Sequence, residues 1–96
     1  WQEYNCEDYF ASPIAVTGSW DELGQYWSFW PADRVVEDAE RQFLVVGSAG
    51  VDGIEWGYRK GHRGLWAFHP IDGEFVLLAP TFAQLVAGWL SGRLTV

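Results

Sequence analysis

The spacing of the apolar residues changes once in the second half of the chain, and this change constrains the fold more than any other feature. Between Phe43 and Leu78, short apolar or alternating runs are separated by glycine-containing turns. From Phe82 onwards the apolar residues recur at every third or fourth position. The first pattern is typical of β-strands and the second of an amphipathic helix. We therefore expect an α+β fold, with the change from sheet to helix at Ala79-Pro80.

Four strands are predicted in the first of these regions, at residues 43–47, 54–59, 65–69 and 74–78. Five residues, 60–64, connect the second strand to the third, and Asp72-Gly73 forms the next turn. Connections this short and rich in glycine join antiparallel neighbours. The expected sheet is a single antiparallel meander.

The last predicted element is a helix that begins at Thr81. Thr81 and Gln84 have the spacing of a capping box, and Gly92 supplies a stop. One stripe along the helix is apolar and should pack on one face of the sheet. Its residues are Phe82, Leu85, Val86, Trp89 and Leu90.

The region before residue 43 gives weaker signals. Residues 19–22 have Ser-x-x-Glu spacing, but Gly24 follows too soon for a long helix. Residues 26–30 are aromatic and strand-like. Pro31 is expected to open a short helix before the sheet, with Val35, Val36 and Ala39 directed inward.

A glycine-rich bend separates the first two strands of the meander. Gly47, Gly50 and Gly53 are spaced GxxGxxG, without the Gly-Lys-Ser/Thr of a phosphate-binding loop. Phosphate loops also require a helix directly after the glycines, whereas residues 54–59 alternate like a strand. We expect a turn that binds no phosphate.

Length and composition suit one domain that spans residues 1–96. No apolar run approaches the roughly twenty residues of a membrane span, and no segment resembles a signal peptide. The single cysteine, Cys6, has no partner for an internal disulfide. These features predict a soluble domain in a reducing cytoplasm.

The negative charge is concentrated in the first half of the chain. Residues 1–48 contain nine acidic residues and two arginines, which account for the whole net charge of −7, whereas the second half is neutral. An acidic surface repels nucleic-acid backbones and attracts basic proteins. The charge could also be a solvated face that only aids solubility.

Three segments together resemble the SUKH superfamily, which includes Smi/Knr-type regulators of yeast cell walls and many bacterial immunity proteins. They are Tyr26-Trp27-Ser28-Phe29-Trp30-Pro31, Phe43-Leu44-Val45-Val46-Gly47-Ser48-Ala49-Gly50 and Ala79-Pro80-Thr81-Phe82-Ala83-Gln84-Leu85. The resemblance covers about Tyr26 to Leu90. It implies an α+β fold that binds proteins, commonly a toxin domain in the bacterial members. The helix and Asn-Gly-Gly turn with which members usually open are missing, so the N-terminal quarter is expected to be truncated or divergent.

Two other classes compete with protein binding. An enzyme would need reactive residues, but His62 and His69 lack metal-ligand spacing and nothing near Cys6 activates its thiol. Asp52 and Glu55 could form the carboxylate pair of a small hydrolase, although acids beside a hairpin are usually solvated turn residues. A carbohydrate or cell-wall binding module would use exposed rings, for which Trp20 and Trp56 are the candidates.

The sequence thus favours a non-catalytic domain that needs no cofactor or metal and binds a basic protein, as an immunity protein binds a nuclease-type toxin. Acidic residues would speed the encounter, and one or two aromatic anchors would supply most of the affinity. The predicted partner-binding residues are Trp20, Asp21, Glu22, Glu37, Asp38, Asp52, Glu55 and Trp56.

Overall fold

The computed structural model describes all 96 residues as a seven-stranded antiparallel sheet with three helices. The helices are α1 (Glu7–Phe10), α2 (Ile14–Thr17) and α3 (Phe82–Leu90), and short 3-10 turns occur at Gln2–Tyr4 and Ala32–Arg34. The strands are β1 (Ser19–Asp21), β2 (Tyr26–Phe29), β3 (Val36–Asp38), β4 (Phe43–Ser48), β5 (Glu55–Arg59), β6 (Leu65–His69) and β7 (Glu74–Ala79).

The sheet follows the chain almost in sequence order, β1-β2-β4-β5-β6-β7. The exception is β3, which shares one side of β4 with β2. Phe29 of β2 pairs with Gly47, and Val36 of β3 pairs with Val45. The fold class predicted from the sequence, an α+β meander with a C-terminal helix, is confirmed.

The four strands predicted from residue 43 onwards are confirmed to within one residue at each end, and residues 26–30 contain β2 as predicted. The short helix predicted after Pro31 is reduced to a single turn, and the inward direction predicted for Val36 and Ala39 is wrong, because both are exposed. Ala32–Arg34 makes one 3-10 turn, and Val36 then enters β3. Pairing of Val36–Asp38 with the buried strand β4 overrides the weak helical signal.

The capping-box interpretation of residues 19–22 is also wrong, because Ser19–Asp21 is a strand paired with β2. The carboxylate of Asp21 instead accepts hydrogen bonds from the amides of Leu23 and Gly24, both at 3.0 Å. This geometry turns the chain toward β2. The same spacing at Thr81 is a true cap, since the Thr81 hydroxyl accepts from the Gln84 amide at 3.2 Å.

The helices all pack on one face of the sheet. The main core joins sheet residues such as Leu44, Trp56 and Leu65 to Tyr9 of α1 and Phe82 of α3. A second, smaller cluster on the other face contains Phe43, Val45 and Phe68, with Trp30, Trp66 and Phe75 packed against it. No helical residue belongs to this second cluster. None of the helices has the length and apolar character needed to cross a bilayer.

Candidate functional site: the open face of the sheet

The sheet face that no helix covers is called the open face, and it consists of three cross-strand rows. The middle row is Val36, Val45, Gly57, Trp66 and Leu77, which are paired strand by strand. The outer rows are Asp38, Phe43 and Arg59 on one side and Glu55, Phe68 and Phe75 on the other. Because directly paired residues project to the same side of a sheet, these side chains form one surface.

Two arginines lie on the aromatic rings of this surface. The guanidinium carbon of Arg59 is 4.7 Å from the ring centre of Trp66 and 4.4 Å from that of Phe75. The corresponding distance from Arg41 to Phe68 is 4.5 Å. Cation–π contacts of this kind hold a guanidinium flat while its edge stays free to hydrogen-bond. The arginines therefore partly cover the apolar rings and present donors to a ligand.

Two carboxylates lie on the same surface in different electrostatic states. Asp38 accepts a hydrogen bond from the Arg41 side chain at 2.6 Å and a second one from the Arg41 backbone amide at 3.1 Å. These bonds lower the pKa of Asp38. Glu55 has no ion pair, and its pKa is raised, mainly by burial and then by the charge of Asp38. A group that binds the open face with a positive charge near Glu55 would relieve this penalty.

The open face combines aromatic, aliphatic and charged side chains that remain accessible to solvent. Trp30, Trp66 and Phe75 are half-buried, while Val36 and Leu77 are each 53% exposed. Aromatic residues and arginine are enriched at the centres of protein interfaces, where they supply much of the affinity.

Of the eight predicted partner-binding residues, the structure brings Asp38 and Glu55 together on the open face. Asp52 lies beside it in the β4–β5 turn, where it lines, with Glu55 and Trp30, a depression of about 280 Å³. Glu37 is adjacent to Asp38 in β3 and therefore points to the other face. There it accepts a hydrogen bond from the Tyr4 hydroxyl at 2.7 Å.

Trp20, Asp21 and Glu22 lie together at the β1 edge of the sheet and in the turn that follows. Trp20 is 42% exposed and makes an edge contact with Trp27, with ring centres 5.3 Å apart. Asp21 is engaged in the turn, and Glu22 is exposed. The predicted acidic residues are thus divided between this edge and the two sheet faces, and they do not form one continuous patch.

The predicted exposure of Trp56 is wrong. Its ring is fully buried between Phe29 and Trp89, with ring centres 5.5 Å and 4.7 Å away. The indole nitrogen donates to the Ser28 carbonyl at 2.8 Å. The acids and turn residues near Trp56 in the sequence suggested a surface position, but its strand alternation with Tyr58 places it on the helix-covered face.

The open-face residues that were not selected from the sequence include Trp30, Arg41, Arg59, Trp66 and Phe75. The alternation in 54–59 did separate Glu55 and Arg59 from Trp56 and Tyr58. It could not show which of the two sides the helices would cover. Trp66 and Phe68 share one face of β6, and this face is the open one.

The environment of Cys6 opposes its use as a nucleophile. Cys6 is buried, and this burial is the main cause of the raised pKa of its thiol. A raised pKa opposes formation of the thiolate nucleophile. No group of three or more histidine, cysteine or acidic side chains is arranged to hold a metal ion. The glycine bend is a turn between two antiparallel strands, with no helix after it.

Comparison of the chain with protein-family models, with curated proteins and with solved structures gave no match. The SUKH resemblance stays a prediction that rests on the three segments quoted above. The case for a function depends on the geometry of the open face.

Proposed function

We propose that this chain is a non-catalytic protein-binding domain that recognises a basic protein, in the manner of an immunity protein that neutralises a nuclease-type toxin. The observation that carries the proposal is the open face, on which Arg41 and Arg59 lie against a floor of aromatic rings. The family resemblance supports the same class. The single free cysteine supports a reducing compartment such as the cytoplasm.

Charge provides the second support for a basic partner. The net charge of −7 raises the encounter rate with a positively charged protein over distances comparable to the Debye length. Six of the thirteen acidic residues lie between Asp21 and Glu40, in β1, β3 and the segments around them. Of these residues only Asp38 belongs to the open face, and the others lie outside it. Steering and anchoring are therefore assigned to different residues.

The anchors of the proposed interface are Trp66, Phe75 and Arg59. Trp66 and Phe75 hold the arginine between them, so a partner can contact two rings and a guanidinium at one place. The indole nitrogen of Trp66 donates to the Arg63 carbonyl at 3.0 Å, which fixes the ring before binding. Such preorganisation lowers the entropy lost on association.

The experiment that tests this proposal is affinity capture followed by reconstitution with the purified partner. Wild-type protein should retain a basic protein that binds again as a purified pair, and Trp66→Ala should weaken that pair by about 2 kcal/mol or more. Leu23→Ala is the matched control, because Leu23 is almost fully exposed in the β1–β2 turn. Circular dichroism must show the folded spectrum for both variants. Equal affinities for Trp66→Ala and wild type would place the interface elsewhere.

A carbohydrate-binding module is the second candidate, and the exposed ring of Trp20 beside Trp27 favours it. Exposed aromatic rings stack on sugar faces, and this pair lies at a sheet edge that is open to solvent. A glycan panel distinguishes the two proposals. Binding of cell-wall glycans that is lost in Trp20→Ala, with no protein captured, would replace the protein-binding proposal.

A further inference from the structure

The last strand, β7, leaves one side of its backbone without a strand partner. It pairs with β6 alone, at the end of the sheet opposite β1. Outside that ladder, no backbone hydrogen bond involves residues 74–79. Unpaired amide and carbonyl groups in an extended strand form a template for another strand.

The devices that usually protect such an edge are mostly missing from β7. The strand is six residues long and contains neither proline nor lysine. Val76 and Leu77 are exposed, at 43% and 53%, although they are apolar. The irregularity in the pairing with β6 lies near Leu78, so Glu74–Leu77 remain regular. By contrast, the opposite edge strand, β1, has only three residues.

We propose that β7 pairs with β7 of a second copy of this chain, which joins two sheets into one continuous antiparallel sheet. A two-fold axis at Val76 places Phe75 opposite Leu77 of the other copy and Glu74 opposite Leu78. Both pairings keep each side chain on the same face as its neighbour. They also bring no like charges into direct opposition. The strand is therefore complementary to itself.

The charge distribution favours a second copy over the basic partner at this edge. The acids between Asp21 and Glu40 lie on the β1 side of the sheet, whereas Glu74 is the only charged residue in β7. Two negatively charged copies can approach most closely where their acidic sides are far apart. A basic protein gains little from an edge with a single acidic residue. Although Phe75 also belongs to the proposed toxin interface, the dimer needs no other protein and can be tested with this chain alone.

The first test is sedimentation equilibrium of the purified chain across a concentration series that reaches the millimolar range. A reversible dimer is expected. Leu77→Lys should lower the association constant by about tenfold or more, because each dimer contains two added charges at the paired edge. Val36→Lys is the matched control, since Val36 has the same 53% exposure in a strand of the same open face. A monomer at every concentration, or equal weakening by both variants, would overturn the proposal.

A cross-linking test defines the register and does not depend on whether Leu77→Lys folds. In the proposed dimer the two Val76 Cα atoms lie about 5 Å apart, which suits a disulfide. The two Glu74 Cα atoms would be about 14 Å apart, beyond disulfide reach. Under mild oxidation Val76→Cys should form a covalent dimer, whereas Glu74→Cys and the wild type, whose Cys6 is buried, should not. Equal cross-linking of the two variants would refute the register and the pairing together.

Discussion

At the scale of single residues, Asp8 connects three parts of the fold through one carboxylate group. Its oxygens accept hydrogen bonds from the Tyr58 hydroxyl in β5 at 2.7 Å and from the Phe82 amide at the start of α3, also at 2.7 Å. A third bond comes from the Tyr9 amide at 2.9 Å. A negative charge at the first turn of α3 also interacts favourably with the helix dipole.

Removing this carboxylate should destabilise the whole domain. Asp8→Ala leaves the buried Tyr58 hydroxyl without its acceptor, and we expect a loss of about 1–3 kcal/mol in the free energy of unfolding. Asp72→Ala, at an exposed turn, should change stability by less than about 0.5 kcal/mol. Urea denaturation measures both. A double-mutant cycle with Tyr58→Phe should show coupling, and simple additivity would show that the hydrogen bond contributes nothing.

The raised pKa of Tyr9 predicts how the free energy of unfolding changes at alkaline pH. Burial, followed by the charge of Asp33, raises the pKa of Tyr9 to about 12. The unfolded chain releases this proton near pH 10, whereas the folded chain keeps it up to about pH 12. The unfolded state therefore binds fewer protons in this interval. The contribution of Tyr9 to the free energy of unfolding is fully present below about pH 10 and is lost as the pH rises above it.

Tyr9→Phe should remove the share of this decline that belongs to Tyr9, about 1.4 kcal/mol for each pH unit of the interval. The pKa values of Tyr4 and Tyr58 are also raised, each chiefly by burial, so a residual decline should persist in the variant. Urea midpoints measured from about pH 9 to about pH 12 provide the check. Parallel curves for variant and wild type would contradict the assignment.

At the same scale, Trp56 in β5 and Trp66 in β6 show what could not be predicted from the sequence. Strand alternation correctly separates the two sides of β5 and β6. Because both sides of this sheet carry aromatic rings, composition does not reveal which one the helices cover. Trp56 was therefore predicted to be an exposed anchor and is core, whereas Trp66 was not selected and lies on the open face.

Among the elements, the contact between β4 and β5 depends on a glycine. A Cβ atom on Gly57 would overlap the Leu44 carbonyl oxygen, which belongs to the backbone and cannot move aside. Gly57→Ala should therefore cost about 3 kcal/mol or more.

The control for Gly57→Ala is Gly73→Ala in the β6–β7 turn, where the backbone has a φ of 69° but an added Cβ meets nothing within 4 Å. The control should cost about 1–2 kcal/mol, which is the usual penalty for a left-handed alanine. Thermal unfolding compares the two variants. A smaller loss for Gly57→Ala than for Gly73→Ala would show that β4 and β5 can separate without penalty.

Local sequence signals succeeded for elements whose neighbours in the chain are also their neighbours in space. The β4–β7 meander and α3 were predicted because each strand pairs with the next one and Thr81 caps its own helix. The failures at residues 19–22 and 31–39 have a common cause. There the strands β1 and β3 form only by pairing with β2 and β4, and local propensity carries little information about such pairing.

At the scale of the whole molecule, the acids that act only through charge can be separated from those that also hold the structure. Asp21, Glu37 and Asp38 accept hydrogen bonds within the fold, so their substitution would alter stability as well as charge. Glu22, Asp33 and Glu40 are exposed. Their side chains form no salt bridge.

If the acidic half steers a basic partner, Glu22→Gln, Asp33→Asn and Glu40→Gln together should slow association and flatten its dependence on salt. The triple substitution changes the net charge from −7 to −4, and dissociation should change little, since none of these residues lies among the aromatic anchors. Trp66→Ala should do the reverse and speed dissociation.

The matched control removes the same number of charges from the neutral half, through Asp52→Asn, Asp72→Asn and Glu74→Gln. Both triple variants have the same net charge, so a larger loss of association rate in the first would locate the steering field on the β1–β3 side of the sheet. Equal losses in stopped-flow measurements would mean that only the total charge matters. If neither variant slowed association, a basic partner would be ruled out. At low salt the charges are weakly screened, so the loss of three negative charges must slow association with a positively charged protein.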